Sequence, residues 1–319
     1  MSRFRKIFFI VIGIVVIYVG YIGISLMFLP SVADLANRTY SMVIQVKDWK
    51  GKFHSLTVGP KNRYWTPSGN IPPEMKWAVI VAEDARFDKH EGIDVKAIKN
   101  AIKYDLEKKS FARGASTITQ QVAKNLYLSR EKTISRKVKE VILAKRMEQE
   151  LTKGRIIELY LNVIELGPMV YGIGHGAQYY FGKPASALTP RESAFLAAML
   201  PGPRVAYNPY SNLSRVLRRS DMILGLLRKK GVLTEEEYRR AMAEEPNIAG
   251  LQRKVDESIK KQEIMANLSS AALPTRLPAK PAEDAGTAEP AAPMPDRGSP
   301  PDKKGEPETG ASPAGGQKN

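Results

Sequence analysis

The longest apolar stretch of the chain runs from Ile7 to Leu29 and contains no charged residue. It has 23 residues, mostly Ile, Val, Leu and Phe. A helix of that length rises about 1.5 Å per residue and crosses a hydrocarbon core of roughly 30 Å. A cleaved signal peptide has an apolar region of only about 7 to 15 residues. The pattern therefore predicts a transmembrane helix.

After the apolar stretch the pattern changes twice. Between residues 41 and 64, Val, Ile, Tyr and Trp are mixed with Gly and Lys, which predicts one or two short strands. From residue 72 to about 243 the signals are helical throughout, with a glycine-rich break at 167–176 between two helices. Helix starts are marked by a first-turn proline or a capping box at Pro73, at Thr117 with Gln120, and at Thr189 with Glu192.

These patterns divide the chain into consecutive parts. They are a basic stub (1–6), the transmembrane helix (7–29), a linker with short strands (30–67), a mostly α-helical domain (68–245), a helical extension (246–272) and a tail (273–319). The tail is rich in Pro, Ala, Gly, Ser and charged residues and has no aromatic residue. It cannot bury enough apolar surface to offset the entropy of ordering, so we expect it to be disordered.

Charge narrows the class of partner. The chain carries a formal net charge of +16, and its tail is close to balanced, so the folded part is strongly basic. Such a surface attracts nucleic acid, anionic lipid headgroups or phosphorylated substrates. Because Arg3, Arg5 and Lys6 precede the apolar helix and positive flanks stay in the cytoplasm, the domain is expected outside it, which argues against a nucleic-acid partner.

Cysteine and histidine usage limits the metal chemistry. The chain has no cysteine and only three scattered histidines. Disulfides and thiolate metal sites are excluded, and a histidine-built zinc site is not expected.

Glu83 is the first candidate for chemistry. It follows six apolar residues in a row, so its carboxylate is expected to enter a cleft of low polarity. Burial raises the pKa of a carboxylate and makes it a usable proton acceptor near neutral pH. Phe87 and His90 follow at helical spacings of four and three, which predicts one common face. The alternative is that Glu83 ends a core helix and forms a salt bridge with a lysine.

Two further clusters suit an anion. In the first, a glycine turn feeds the helix capped by Thr117, and a helix N-terminus offers unpaired N–H groups to an anion. Its polar positions are predicted to share one face: Thr117, Gln120, Gln121 and Lys124. In the second, cations crowd around Glu140 from Lys132 onward, as a diphosphate would require. Either cluster could instead be a solvated polar face.

Three stretches together resemble the ordered motifs of glycosyltransferase family 51: Glu83-Asp84-x-x-Phe87-x-x-His90-x-Gly92, Gly114-x-Ser116-Thr117-Ile118-x-Gln120-Gln121-x-x-Lys124-Asn125, and Arg136-Lys137-x-x-Glu140. Two more fit: Leu159-Tyr160-Leu161-Asn162 with Gly167, and Arg191-Glu192-x-Ala194-x-Leu196-Ala197 running to Leu200-Pro201. Among its members, the chain looks most similar to the monofunctional biosynthetic peptidoglycan transglycosylases. The resemblance implies a lysozyme-like, mostly helical glycosyltransferase domain with a membrane-embedded smaller lobe.

The resemblance also implies roles for single residues. Glu83 would be the general base and Glu140 the second catalytic carboxylate. Lys124, Lys132 and Arg136 would contact the diphosphate, although many members have arginine where this chain has Lys132, which loses bidentate geometry. The remaining substrate-binding positions implied are Asp84, Phe87, His90, Ser116, Thr117, Gln120, Gln121, Asn125 and Lys137, among which Phe87 and His90 would shape the cleft.

The implied reaction is polymerisation of lipid II into β-1,4-linked glycan, with inversion and release of undecaprenyl diphosphate, in cell wall biogenesis. The implied partners are lipid II, the growing glycan, the membrane, and proteins of wall synthesis or division. A divalent cation, Mg²⁺ or Mn²⁺, is the one cofactor expected, with no organic cofactor. The implied location is the bacterial inner membrane, with a cytoplasmic N-terminus, a single pass and a periplasmic catalytic domain.

Three other classes of protein would account for fewer of these residues. A lysozyme-type hydrolase would also use a buried glutamate, but it acts on polymer and needs no cation cluster. A penicillin-binding transpeptidase needs Ser-x-x-Lys, which Ser129-Arg130-Glu131-Lys132 matches, but no Lys-Thr-Gly or Lys-Ser-Gly follows. A non-catalytic basic membrane scaffold leaves the ordered motifs unexplained.

Overall fold

The computed structural model of the chain describes residues 3–108, 114–129 and 131–250. The predicted disordered tail (273–319) lies outside the described residues, as does the predicted helical extension from residue 251 onward. Residues 246–250 of that extension are described and form no helix.

The N-terminal apolar stretch forms helix α1 (Arg3–Met27). None of its residues is buried, although nearly all are apolar. A helix that is apolar all round is stable only where its surroundings are apolar too. Within the described residues, α1 is the one helix long and apolar enough to cross a membrane by length and composition. The predicted apolar N-terminal helix is confirmed.

The predicted short β element is an antiparallel hairpin of β1 (Met42–Lys47) and β2 (Phe53–Val58). Ile44 and Val46 of β1 are buried while their neighbours in the strand are exposed or half-buried, so one face of the hairpin covers the domain core. The expectation of one or two short strands before the helical domain is confirmed.

The remainder is mostly α-helical, which confirms the predicted fold class. The helices are α2 (Pro73–Glu83), α3 (Val95–Lys108), α4 (Ile118–Tyr127), α5 (Ile134–Glu150), α6 (Lys153–Val163), α7 (Ile173–Phe181), α8 (Pro190–Met199), α9 (Pro209–Lys229) and α10 (Glu235–Ala243). The predicted starts are observed: Pro73 is the first residue of α2, and Thr117 and Thr189 form capping boxes with Gln120 and Glu192.

The expectation of helical structure throughout 72–243 is wrong at one place. Between α6 and α7 the chain forms a second small hairpin of β3 (Glu165–Gly167) and β4 (Val170–Tyr171). Gly167 belongs to β3, and a Cβ at this position would lie 2.5 Å from the hydroxyl oxygen of Tyr180. The glycine is therefore required by close packing, and the predicted break contains strands.

Helix α2 packs against α8 and α9. Helix α8 is buried over its whole length after the first residue and packs against α2 and α9. Helix α4 packs against α5 and α6. Side chains of α4 and α9 both reach the C-terminal end of α2, where Gln121 and Arg219 contact Glu83.

Asn162 ties α6 to the segment before the domain. Its side-chain oxygen accepts a hydrogen bond from Thr66 N at 2.7 Å, and its amide nitrogen donates to Thr66 O at 2.9 Å. We expect Asn162→Ala to lower the unfolding free energy by about 1 to 3 kcal/mol for each buried backbone group left without a partner. The melting temperature should drop clearly below that of Asn100→Ala, an exposed change on α3. Equal melting temperatures would contradict the role of Asn162.

Candidate active site

Glu83 lies at the C-terminal end of α2, because the next residue, Asp84, leaves the helical conformation with φ −155° and ψ 69°. Its carboxylate has two partners from distant helices. Gln121 Nε2 of α4 donates to Glu83 Oε2 at 3.1 Å, and Arg219 Nη2 of α9 lies 3.5 Å from Glu83 Oε1. The side chain is 17% exposed, so it can still be reached from solvent.

Burial raises the pKa of the Glu83 carboxyl above its usual value, as the sequence predicted. The hydrogen bond from Gln121 and the positive charges of Arg219 and Lys124 act in the opposite direction. A carboxylate with a raised pKa accepts a proton more readily than an ordinary one does. The alternative interpretation was that Glu83 ends a core helix and forms a salt bridge with a lysine. Glu83 does end a core helix and does pair with a cation, but this cation is Arg219.

Tyr160 fixes the orientation of Gln121. Its hydroxyl donates to Gln121 Oε1 at 3.2 Å, which turns the amide nitrogen of Gln121 toward Glu83. Tyr160 is fully buried, and burial raises its pKa well above the ordinary value, so the hydroxyl stays a neutral donor. The chain of contacts Tyr160–Gln121–Glu83 therefore fixes the position of the Glu83 carboxylate.

Sequence reasoning missed Arg219 and Tyr160 as site residues. Tyr160 stood within the fourth motif but had no role assigned. Arg219 lies in a basic segment of α9 with no distinctive spacing. Its position against Tyr207, whose ring centroid is 5.7 Å from the guanidinium carbon, could not be read from the sequence.

The predicted common helical face of Glu83, Phe87 and His90 is wrong. Helix α2 stops at Glu83, and Phe87 begins a separate short 3-10 turn. Phe87 is 1% exposed and belongs to the core. His90 Nε2 lies 3.0 Å from both carboxylate oxygens of Asp84. These residues support the backbone around Glu83 and do not line the cleft beside it.

The prediction that the N-terminus of α4 binds a substrate anion is also wrong, because a carboxylate of the protein itself occupies this position. Ile118 N donates to Asp84 Oδ2 at 3.0 Å, and Gln120 N donates to the Thr117 hydroxyl at 3.1 Å. Thr117 in turn donates to Gly92 O at 2.7 Å. The carboxylate of Asp84 is the anion that meets the positive end of the helix. Thr117 and Gln120 are buried capping residues, so only part of the predicted polar face reaches the cleft.

A cavity of about 430 Å³ brings the other predicted residues together. It is bordered by β1 and the β3–β4 hairpin, and Tyr160 also lines it. The predicted positions that line it are Gln121, Lys124, Asn125, Lys132 and Arg136. Gln121 connects the cavity to the Glu83 carboxylate, so this carboxylate and a cation-lined cavity lie side by side.

Glu140 holds the cations beside this cavity. Arg136 Nη1 donates to Glu140 Oε2 at 2.7 Å, and Lys137 Nζ donates to Glu140 Oε1 at 2.5 Å. Lys137 also donates to the Ser116 hydroxyl at 3.0 Å. Glu140 is 3% exposed and is not among the lining residues of the cavity. Its geometry orients Arg136 and leaves the two candidate carboxylates, Glu83 and Glu140, with separate partners.

One group of side chains in the described part of the chain has the spacing of a metal site: Asp84, His90 and Asp94. These donors do not fit a resident divalent cation. Asp84 already accepts from Ile118 N and contacts His90, while Asp94 Oδ1 accepts from Ala97 N and Asp94 Oδ2 lies 3.6 Å from Arg86 Nε. The carboxylates of Glu83 and Glu140 are likewise engaged by side chains.

Comparison with known proteins supports one family. The family described as Transglycosylase matches residues 50–228. Biosynthetic peptidoglycan transglycosylase from Nitrosomonas eutropha is 47% identical over 163 residues, which cover 51% of this chain and 66% of the relative. Penicillin-binding protein 1A from Neisseria lactamica is 39% identical over 255 residues, which cover 79% of this chain and 32% of the relative. The chain thus spans about a third of the length of that penicillin-binding protein.

Among solved structures, the crystal structure of penicillin-binding protein 1A from Haemophilus influenzae aligns with 66% of this chain and 21% of its own. The sequence identity is 22% and the TM-score 0.35, a likeness too distant to carry an argument about this molecule.

Proposed function

The chain belongs to the transglycosylase family, and from that premise we propose that it is a peptidoglycan glycosyltransferase that polymerises lipid II into β-1,4-linked glycan strands for the cell wall. The observation that carries the proposal is the position of Glu83. Its carboxyl has a raised pKa and contacts Gln121, which lines a cavity containing Lys124, Lys132 and Arg136. A proton acceptor beside a cluster of cations suits a transfer whose leaving group is a diphosphate.

The proposed reaction has one displacement step. Glu83 takes the proton of the 4-hydroxyl of a lipid-linked disaccharide as that oxygen bonds to the anomeric carbon of the glycan-bearing lipid diphosphate. The bond between the anomeric carbon and the diphosphate oxygen breaks with its electron pair, and the configuration inverts. The negative charge developing on the undecaprenyl diphosphate is stabilised by Lys124, Lys132 and Arg136. Glu140 keeps Arg136 in place through the 2.7 Å ion pair.

The divalent cation expected from the resemblance is not assigned to any side chain, since the carboxylates near the site already have protein partners. No step of the proposed reaction is routed through it. The described residues supply the diphosphate's positive partners as lysine and arginine.

The function is tested by incubating the detergent-solubilised full chain with lipid II and separating the products by size. We expect glycan polymer to accumulate. A lysozyme-type hydrolase would instead shorten added polymer and leave lipid II unchanged, so the same assay run with preformed glycan distinguishes the two reactions. Cutting without polymerisation would overturn the proposal.

Arg219 is expected to set the pH at which the base works. The unprotonated form of Glu83 is the active one, so activity falls as pH drops through its pKa. The groups that affect this pKa are Gln121, Arg219, Lys124 and Asp84. Removing the positive charge in Arg219→Gln should raise the pKa further and move the acidic limb of kcat/KM to higher pH.

Arg215→Gln is the matched control for this shift. Arg215 lies one turn earlier on α9, and its guanidinium carbon is 5.3 Å from the centroid of the same Tyr207 ring. Arg215 is not among the charges that shift the pKa of Glu83, which are those of Arg219, Lys124 and Asp84. The profile of Arg215→Gln should match that of the unchanged protein. An acidic limb that is the same in both variants would contradict the role given to Arg219.

We place the catalytic domain outside the cytoplasm, anchored in the bacterial inner membrane by α1 with its N-terminus inside. The support is the apolar helix preceded by Arg3, Arg5 and Lys6. A reporter that works only in the cytoplasm, fused after Asn319, should therefore be silent, whereas the same reporter fused before Arg3 should be active. The reverse result would reverse the topology. Contacts with other proteins of wall synthesis or division stay a prediction.

A further inference from the structure

A second, wider cavity of about 700 Å³ lies at the start of α3, and we call it the α3 pocket. It shares no lining residue with the cavity beside Glu83. Its lining cations are Arg86, Lys89, Lys96, Lys99 and Lys145. The acids in the lining are Glu91 and Asp94, and the carboxylate of Asp94 is already engaged by Ala97 N and Arg86. The α3 pocket is therefore strongly positive and suits an anionic ligand.

Arg86 adds a planar guanidinium to the four lysines of this lining. Its side chain is 37% exposed, and its Nε lies 3.6 Å from Asp94 Oδ2. Guanidinium and ammonium groups that converge on one pocket suit a phosphate ligand.

The helix next to the α3 pocket has an apolar face without a partner in the described structure. The side chains of Val95, Ile102 and Leu106 are 58%, 55% and 74% exposed, and their spacing places them along one side of α3. Val95 also lines the α3 pocket. An apolar stripe beside lysines is typical of helices that lie in the surface of a bilayer. We therefore expect this face of α3, and the opening of the α3 pocket beside it, to lie against lipid.

We propose that the α3 pocket binds the glycerophosphate headgroup of an anionic phospholipid such as phosphatidylglycerol, whose acyl chains lie along the apolar face of α3. The lysines and Arg86 contact the phosphate. This lipid is a bound component of the surrounding bilayer and does not react. The site therefore differs in place and in ligand from the cavity beside Glu83.

The test titrates the full chain, solubilised in a neutral non-ionic detergent, with dihexanoyl phosphatidylglycerol and follows binding by calorimetry. We expect saturable binding at one site. Dihexanoyl phosphatidylcholine and free glycerol phosphate should each bind about tenfold more weakly or worse, because the first lacks the net charge and the second lacks the chains. Free glycerol phosphate binding as tightly as the lipid would overturn the lipid assignment.

Lys99→Gln and Lys103→Gln separate the α3 pocket from general attraction to a basic surface. Both lysines are exposed on α3, one turn apart, but Lys99 lines the α3 pocket whereas Lys103 lies 3.9 Å from Glu107. We expect Lys99→Gln to weaken phosphatidylglycerol binding about five- to tenfold and Lys103→Gln to leave it unchanged. Equal affinities in the two variants would overturn the proposal. Binding is read without lipid II, so the result is independent of glycosyltransferase activity.

Discussion

Glu83→Gln should lower the turnover of glycan polymerisation by about 100- to 10,000-fold while leaving binding of the lipid substrate largely intact. The amide keeps the size of the side chain and can still accept the hydrogen bond that Gln121 donates at 3.1 Å. It cannot take the proton of the attacking hydroxyl. The loss is therefore expected in kcat, with KM or the affinity for a non-reacting lipid analogue nearly unchanged.

Glu74→Gln is the matched control for Glu83→Gln, since it makes the same change in the first turn of α2. It should polymerise at the normal rate. Melting temperatures of both variants are needed, because Glu83→Gln also removes the charge that pairs with Arg219 at 3.5 Å. Near-normal polymerisation by a folded, membrane-inserted Glu83→Gln would show that Glu83 is not the base.

Glu140→Gln should reduce both turnover and stability. The carboxylate is 3% exposed and accepts from Arg136 and Lys137, so the amide leaves two cations with less compensation. Lys137 is 45% exposed and can turn to solvent, whereas Arg136 is 16% exposed. We expect an unfolding free energy lower by about 1 to 3 kcal/mol. Turnover should drop about 10- to 100-fold, because a misplaced Arg136 stabilises the leaving diphosphate less well.

A double-mutant cycle distinguishes positioning of Arg136 from general destabilisation. If Glu140 acts through Arg136, then Glu140→Gln combined with Arg136→Gln should lose little more turnover than Arg136→Gln alone. Glu150→Gln, at the end of the same helix α5, controls for the loss of a carboxylate and should leave turnover unchanged. Fully additive losses in the double variant would contradict the proposed role.

The elements that local chemistry specifies were predictable from the sequence. The apolar run that forms α1 needs no distant partner to become a helix. The capping boxes at Thr117 and Thr189 join residues three positions apart, and both are observed. The ordered motifs identified the family, because they record which residue types recur at which spacing and do not depend on knowing the contacts.

Predictions that extended a local pattern across a turn were wrong. The helical spacing of Glu83, Phe87 and His90 was extrapolated past the point where α2 ends. The N-terminus of α4 was expected to hold a substrate anion, but Asp84, 34 positions earlier in the chain, occupies it. The β3–β4 hairpin was missed because two short strands around glycines have no periodicity to detect.

By itself the sequence determined the apolar N-terminal helix, the mostly helical class, the helix starts and the family, since each depends on neighbouring residues or on ordered motifs. Only the tertiary structure decided which side chains surround the carboxyl group of Glu83. Gln121 is 38 positions away from Glu83, and Arg219 is supplied by a third helix that packs against α2. The pKa of a carboxyl depends on its burial and on charges within a few ångströms. Those distances exist only once α2, α4 and α9 have packed together.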